Sequence, residues 1–384
     1  MKILSNILPF GKAWLGLLLA ILPNSVSAQD EDSLRIGAKG FVDTYHAMRT
    51  ERPNDWMSSR TRVRGEMTLE KGHAGAFVSA NLIHNAILSD RSGFQLREAY
   101  GYYSDEHLDI RAGRQIIVWG VADALRLTDI ISPMDYTEFL AQDYDDIRIP
   151  VGALRVRFIQ DSWSLEAVAV PVAEFFKLPT DPANPWSVGM LPPEVRPDPV
   201  LKNSEFGARF CCFLGGVDFS LMALRTWTKM PELQVDHIGY HRLTVIGGDV
   251  SIPFGKFVFR GELADNISDG GIHQGNALAG LDWYPGADWN VSAQFNHTWQ
   301  KEGTPSSLAT LRISKALFNN ALTLSTFAYA DVREGGVFNR LSADWTFTDQ
   351  IHALLGYDYF YADGGMFLIY KDNSEVWVKL KYSF

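Results

Sequence analysis

The stretch MSSRTRVRGEMTLE, residues 57–70, alternates with a period of two. Arg60, Arg62 and Arg64 share one face with Ser58, Glu66, Thr68 and Glu70, while Met57, Val63, Met67 and Leu69 share the other. Successive side chains of a strand point to opposite faces, whereas a helix would scatter the three arginines around its axis. The spacing predicts a strand that is apolar on one side and charged on the other, and longer than most strands of soluble proteins. The pattern recurs in eighteen segments: 33–49, 56–70, 74–87, 94–104, 107–119, 150–160, 163–176, 204–214, 217–229, 240–253, 256–267, 272–285, 288–300, 307–318, 321–333, 336–348, 350–363 and 374–384. The alternation is weak in 217–229 and 240–253, and in 94–104 the adjacent Arg97 and Glu98 require either a charge facing outward or a bulge.

The connections alternate as well. Every second one is tight (EKGH, SDEH, QDS, LGG, PFGK, PGAD, FNNA, TDQ), and those between are mostly longer. Short turns at one end and long loops at the other are the layout of an outer-membrane barrel. The expected fold is therefore all-β: a transmembrane antiparallel up-and-down β-barrel of about 18 strands, 16 at the fewest. A soluble sandwich or propeller explains neither strands this long nor the loop asymmetry, and closure removes the exposed edges of so many strands. The last segment, SEVWVKLKYSF, sets Val376, Val378, Leu380, Tyr382 and Phe384 against Glu375, Lys379, Lys381 and Ser383. It resembles the C-terminal signature of outer-membrane barrels, which implies recognition of Phe384 by the barrel-assembly machinery. Trp119, Trp163, Tyr284, Trp289, Trp299, Trp345, Tyr359 and Tyr361 lie near segment ends, where rings favour the lipid interface.

Residues 1–28 read as a signal peptide. Lys2 and Lys12 precede the apolar run AWLGLLLAILP, and Val26 and Ala28 are the small residues of a cleavage site. Residues 29–384 then form a single barrel in the outer membrane of a Gram-negative bacterium, with outer-membrane lipid as its surroundings. The chain has 46% hydrophobic residues, and after the N-terminus it has no apolar run long enough for a spanning helix. Its net charge of -10 makes it a poor partner for nucleic acid. Cys211 and Cys212 are adjacent and so point to opposite faces, which predicts two free thiols.

The segment GRQIIVWGVADALRLTDIISPMDYTEFLAQDYDDIRIP, residues 113–150, breaks the pattern. Its span 120–149 is too long for a simple connection and is acidic: Asp123, Asp129, Asp135, Glu138, Asp143, Asp145 and Asp146, against Arg126 and Arg148. Ser132-Pro133 is a helix-start signal, so a short helix is expected over PMDYTEFLAQ. Folded inward, the loop would narrow a pore and oppose the arginines. Asp143, Asp145 and Asp146 could instead hold calcium, although the Gly and distal Glu of an EF-hand loop are missing. The run GRQ-x3-WG-x-AD-x-LR-x-TDIISP-x-D, from Gly113 to Asp135, resembles a motif of functionally unassigned proteobacterial outer-membrane barrels, some encoded near RND-type exporters. That resemblance implies a porin-like barrel or one that serves an exporter. The second long loop, 177–203, carries seven prolines and Trp186 and is expected to be an extracellular lid with little regular structure.

The inner face would present Arg60, Arg62, Arg64, Arg155, Arg157, Arg209 and Arg260 to water, with Asn290, Ser292, Gln294 and Asn296 beside them. No GxSxG, HExxH, Walker loop or CxxCH occurs, the histidines are scattered, and neither an enzyme nor a cofactor is expected. The expected function is a porin-like channel for a small solute, in which the arginines tune selectivity more than stability. The alternatives are a non-conducting barrel that binds polysaccharide or lipid, or a partner of an inner-membrane exporter. Barrels of this size serve sugars, small carboxylates and alginate, so strand number selects no solute.

Overall fold

The computed structural model describes residues 33–122, 125–141, 143–144, 146–300 and 303–384. The candidate signal peptide and the loop residues Asp123 and Asp145 lie outside the described residues. The strands are β1 (Arg35–Arg49), β2 (Trp56–Lys71), β3 (Ala74–Asn85), β4 (Gly93–Ser104), β5 (Leu108–Gln115), β6 (Val151–Ile159), β7 (Trp163–Val170), β8 (Glu205–Leu214), β9 (Val217–Trp227), β10 (Glu232–Leu233), β11 (Ile238–Gly239), β12 (Arg242–Phe254), β13 (Phe257–Ser268), β14 (His273–Gly286), β15 (Trp289–Gln300), β16 (Ser306–Leu317), β17 (Leu322–Asp331), β18 (Gly336–Thr348), β19 (Ile351–Ala362) and β20 (Glu375–Ser383). β10 and β11 form a small separate ribbon. The other strands make one 18-stranded sheet in which each pairs antiparallel with the next, β9 pairs with β12, and β20 pairs with β1. The sheet is therefore a closed barrel. Every segment expected from the alternation is one of its strands.

Closure rests on a local fit. Phe384 exchanges backbone hydrogen bonds with Gly40 at 2.8 and 2.9 Å. A Cβ at Gly40 would lie 2.4 Å from the Arg64 carbonyl and 2.8 Å from the Phe384 ring. Only glycine leaves room there for the terminal ring. Outside, Leu165, Leu221, Ile246, Leu263, Leu355 and Leu380 stand exposed on different strands, forming an apolar belt far larger than soluble monomers carry. Exposed rings flank it: Trp163, Tyr284, Trp289 and Trp345 near the short-turn ends, and Trp299, Tyr359 and Tyr361 near the long-loop ends. Trp119 departs from that expectation. It is buried inside, with its Nε1 donating to Glu166 Oε1 at 2.7 Å, because β5 ends at Gln115 and the chain turns inward.

Two irregularities have clear causes. β3 pairs Ser79 with Glu98 and Ala80 with Leu96, so Arg97 is the extra residue of a β-bulge. The bulge lets both Arg97 and Glu98 reach the interior. The weak alternation of β9 and β12 reflects apolar residues on both faces: Leu221 and Ile246 outside, and Met222, Leu224, Leu243 and Val245 buried inside. Strands covered on both faces lose their two-faced signature. The inner cover is segment 116–150.

Replacing Gly40 with Leu should open the β1–β20 seam, at a cost of about 1–3 kcal/mol from overpacking. The expected result is a lower urea midpoint and partial loss of the compact, heat-modifiable band of the folded barrel on SDS gels.

Candidate functional site

Segment 116–150 folds into the barrel and reaches opposite parts of its wall. Its start is fixed by backbone constraints. Gly113 sits at φ 135°, and Gly120 at φ 96° packs so closely that a Cβ would lie 2.5 Å from Thr128 Oγ1. Glu262 of β13 accepts hydrogen bonds from the backbone N–H groups of Val121 and Ala122 and, at 3.1 Å, from Thr128 Oγ1. The backbone N–H of Ile117 donates to Ser132 Oγ at 2.9 Å. Asp129 joins Arg126 at 3.3 Å and Arg148 at 2.8 Å. The residues of the Gly113–Asp135 motif thus fold this segment on itself and dock it on the wall.

The expected helix over 133–142 does not form across its described residues, 133–141. Met134 and Asp135 bridge to Arg148 and Lys177, which holds the backbone extended, and 137–140 make turns with Phe139 at φ 31°. Two apolar clusters fill the interior on either side. Ile117, Trp119, Leu125, Leu127 and Ile131 pack against inward residues of β6, β7, β9, β12, β13 and β14. Phe139, Leu140 and Ala141 pack with Tyr45, Phe338, Phe360 and Trp377 from the opposite wall, and with Trp186. The proline-rich loop therefore does more than cover the mouth, since it delivers a buried tryptophan. The inner face is not uniformly polar, which the strand alternation had implied.

The arginines face inward, but they are paired. Arg60 meets Glu138 at 3.3 Å and donates to the Ala141 carbonyl at 2.9 Å. Arg62 clamps Asp43 through Nε and Nη2 at 3.0 and 2.6 Å, and reaches Asp146 with Nη1 at 2.8 Å. Arg64 meets the other Asp146 oxygen at 2.7 Å, and Arg97 approaches it at 3.5 Å. Arg155 pairs with Glu166 at 3.0 Å, Arg209 with Asp249 at 2.8 Å and Arg260 with Asp282 at 2.7 Å, while Arg157 donates to Ser164 Oγ at 3.0 Å. Asp135 pairs with Arg91 at 2.7 Å, and Asp143 with Lys379 at 2.7 Å. Asp143 and Asp146 are thus committed to separate cations. Arg60 and Arg62 are only 1% exposed. Their replacement would strand buried carboxylates, so these arginines bear on stability.

Sequence reasoning missed Glu262, Arg97 and Lys379 as partners of the segment, and Asp43 as the partner of Arg62. The adjacency of Arg97 and Glu98 was the one available signal; nothing local marks Glu262.

Burial would raise the Asp146 carboxyl, but Arg62, Arg64 and Arg97 outweigh it and hold it well below the usual carboxylate range. A depressed carboxylate stabilises the folded state fully above the ordinary value near 3.9, and this contribution is lost as pH falls further. Amide exchange in residues 143–149, corrected for intrinsic rates, should stay slow from pH 7 to about pH 4.5 and quicken below pH 3. Asp146→Asn should quicken it about tenfold or more at pH 7, since breaking a buried pair typically costs about 3–5 kcal/mol.

The segment separates two cavities. One, of about 610 Å³, opens at the long-loop end and is bordered by Arg126, Leu127, Asp129 and Ile130. The other, of about 450 Å³, lies toward the short turns and is bordered by Val121, Arg157, Arg209 and Arg260. Among the described residues no group of acidic, histidine and cysteine side chains is placed to hold a metal ion. Cys211 and Cys212 are unpaired.

Residues 27–266 match the model of a family described as a protein of unknown function, DUF1302. No curated protein matches the chain. Among solved structures, OccK11 (OpdR) of Pseudomonas aeruginosa superposes with a TM-score of 0.58 at 9% identity, covering 91% of this chain and 96% of that one. A mutant of the Rh. blastica porin gives 0.49 at 14% identity, covering 91% and 100%. An anion-selective porin from Comamonas acidovorans gives 0.48 at 15%, covering 92% and 100%. At these identities the likeness is one of fold.

Proposed function

We propose that this chain, which belongs to the DUF1302 family of proteins of unknown function, is an outer-membrane channel for small solutes whose lumen is constricted by segment 116–150. The observation that carries this reading is the placement of that segment. It crosses the interior of a closed 18-stranded barrel and leaves a cavity on each side, at about 610 and 450 Å³. The apolar belt with its two aromatic girdles suits a barrel in lipid, and the signal-like residues 1–28 suit export. Phe384, seated at the seam, suits recognition by the barrel-assembly machinery during insertion. Segment 123–146 acts as the constriction, and the paired arginines set the local field.

A second reading has one observation in its favour. The two apolar clusters pack the segment against opposite walls, as expected of a non-conducting barrel that binds polysaccharide or lipid, or that partners an exporter. Planar-bilayer recording of the refolded barrel separates the two. The channel reading expects steady conductance, raised severalfold by deletion of 123–146. Silence of the intact barrel in both bilayer and liposome-swelling assays, with folding confirmed on gels, supports the second reading.

Replacing Arg60, Arg62 and Arg64 together with Ala removes three positive charges from a confined space where screening is weak. Reversal potentials under a salt gradient should move toward cation preference, and the urea midpoint should fall because Asp43, Glu138 and Asp146 lose their partners.

A further inference from the structure

The cavity at the long-loop end has a lining that selects chemistry. Its ionisable groups are each engaged by a partner: Arg126 with Asp129 at 3.3 Å, Lys229 with Glu205 at 2.7 Å, Glu232 with the His241 ring at 3.1 Å and Asp269 with Arg225 at 2.6 Å. An ion that enters sheds water and finds its possible counter-charges already committed, which is costly in a confined site. The floor is apolar, made by Leu127 and Ile130 of the inward segment with Leu243 of β12. One side carries the ring of Phe176. The adjoining wall carries amides, Asn266, Gln274 and Asn276, from β13 and β14. Asn266 Oδ1 is buried and has no hydrogen-bond partner within the protein. The rest of the side chain borders the cavity, so a turn of this amide offers a solute hydroxyl an unpaired acceptor.

We propose that this cavity is a binding site for a neutral, hydroxylated solute with an apolar ring or chain, the ring resting on Phe176 and the aliphatic floor and the hydroxyls bonding to Asn266 and its amide neighbours. The inference rests on the channel reading, because it gives the cavity the role of a selective vestibule above the constriction. Its volume of about 610 Å³ falls within the range of small-molecule sites. Neutral solutes recover hydrogen bonds from the amides and lose no ionic hydration. Charged analogues of the same shape must break an existing ion pair to find a counter-charge.

The test is titration calorimetry of the full barrel in lipid nanodiscs with two probes of the same shape, phenyl β-D-glucoside and phenyl β-D-glucuronide. They differ by a hydroxymethyl group against a carboxylate. The expected result is glucoside binding at least tenfold tighter than glucuronide binding, with glucoside affinity cut about tenfold by Asn266→Leu and by Ile130→Asp. Ile130→Asp places an unpaired carboxylate on the floor and serves if Asn266→Leu fails to fold. Equal affinities, a preference for the glucuronide, no glucoside binding at millimolar concentration, or glucoside binding indifferent to every variant that folds would each overturn the proposal. Bilayer conductance of the same preparation keeps the two readings apart. Conductance without glucoside binding overturns the site alone, and glucoside binding without conductance overturns the channel alone.

Discussion

Asp146 is held at once by Arg62 and Arg64 of β2 and by Arg97 from the bulge of β4, and this junction ties the inward segment to the wall. A carboxylate and three guanidiniums in a confined interior are tolerable only together. Each charge has lost much of its hydration, and its partners are the compensation. The same logic repeats around the barrel at Arg60–Glu138, Lys379–Asp143 and Arg91–Asp135. The segment is thereby fixed at several points on the wall, and the apolar clusters complete its docking. A charge added or removed at any of these points is felt by the partners left behind.

Two solvents act on one sheet. The outer face meets an apolar belt's surroundings and is satisfied by leucines and rings. The inner face is divided between open cavities, paired charges and an apolar core built with segment 116–150. β9 and β12 show the consequence most clearly, since Met222 and Val245 are buried inside while Leu221 and Ile246 are exposed outside. Trp119 shows it for a single residue: a ring expected at an interface is used inside as a donor to Glu166.

The two cavities differ in kind. The one toward the short turns is bordered by Arg157, Arg209 and Arg260, each tied across strands to a hydroxyl or a carboxylate. The one at the long-loop end combines a ring, an aliphatic floor and amides. Between them lies the stretch with Val121, Ala122 and Thr128, whose anchor is Glu262. The placement of that stretch therefore depends on a side chain distant in sequence from everything it holds.

The strand period was legible because it is local. One side chain in two meets the interior whatever its partner strand, so the eighteen strands, their turns and the closing Phe384 segment follow from alternation and turn residues. The special character of residues 113–150 was legible too, from its length and acidity. What the tertiary structure alone decided is which charges meet. Asp146 with Arg62, Glu262 with Val121 and Lys379 with Asp143 join positions far apart in the chain, and their pairing depends on barrel closure and on the path of the segment through the interior. The failed helix at 133–142 has the same cause. Proline and serine favour a helix start locally, but bridges to Arg148 and Lys177 supply the backbone with partners that no local signal encodes.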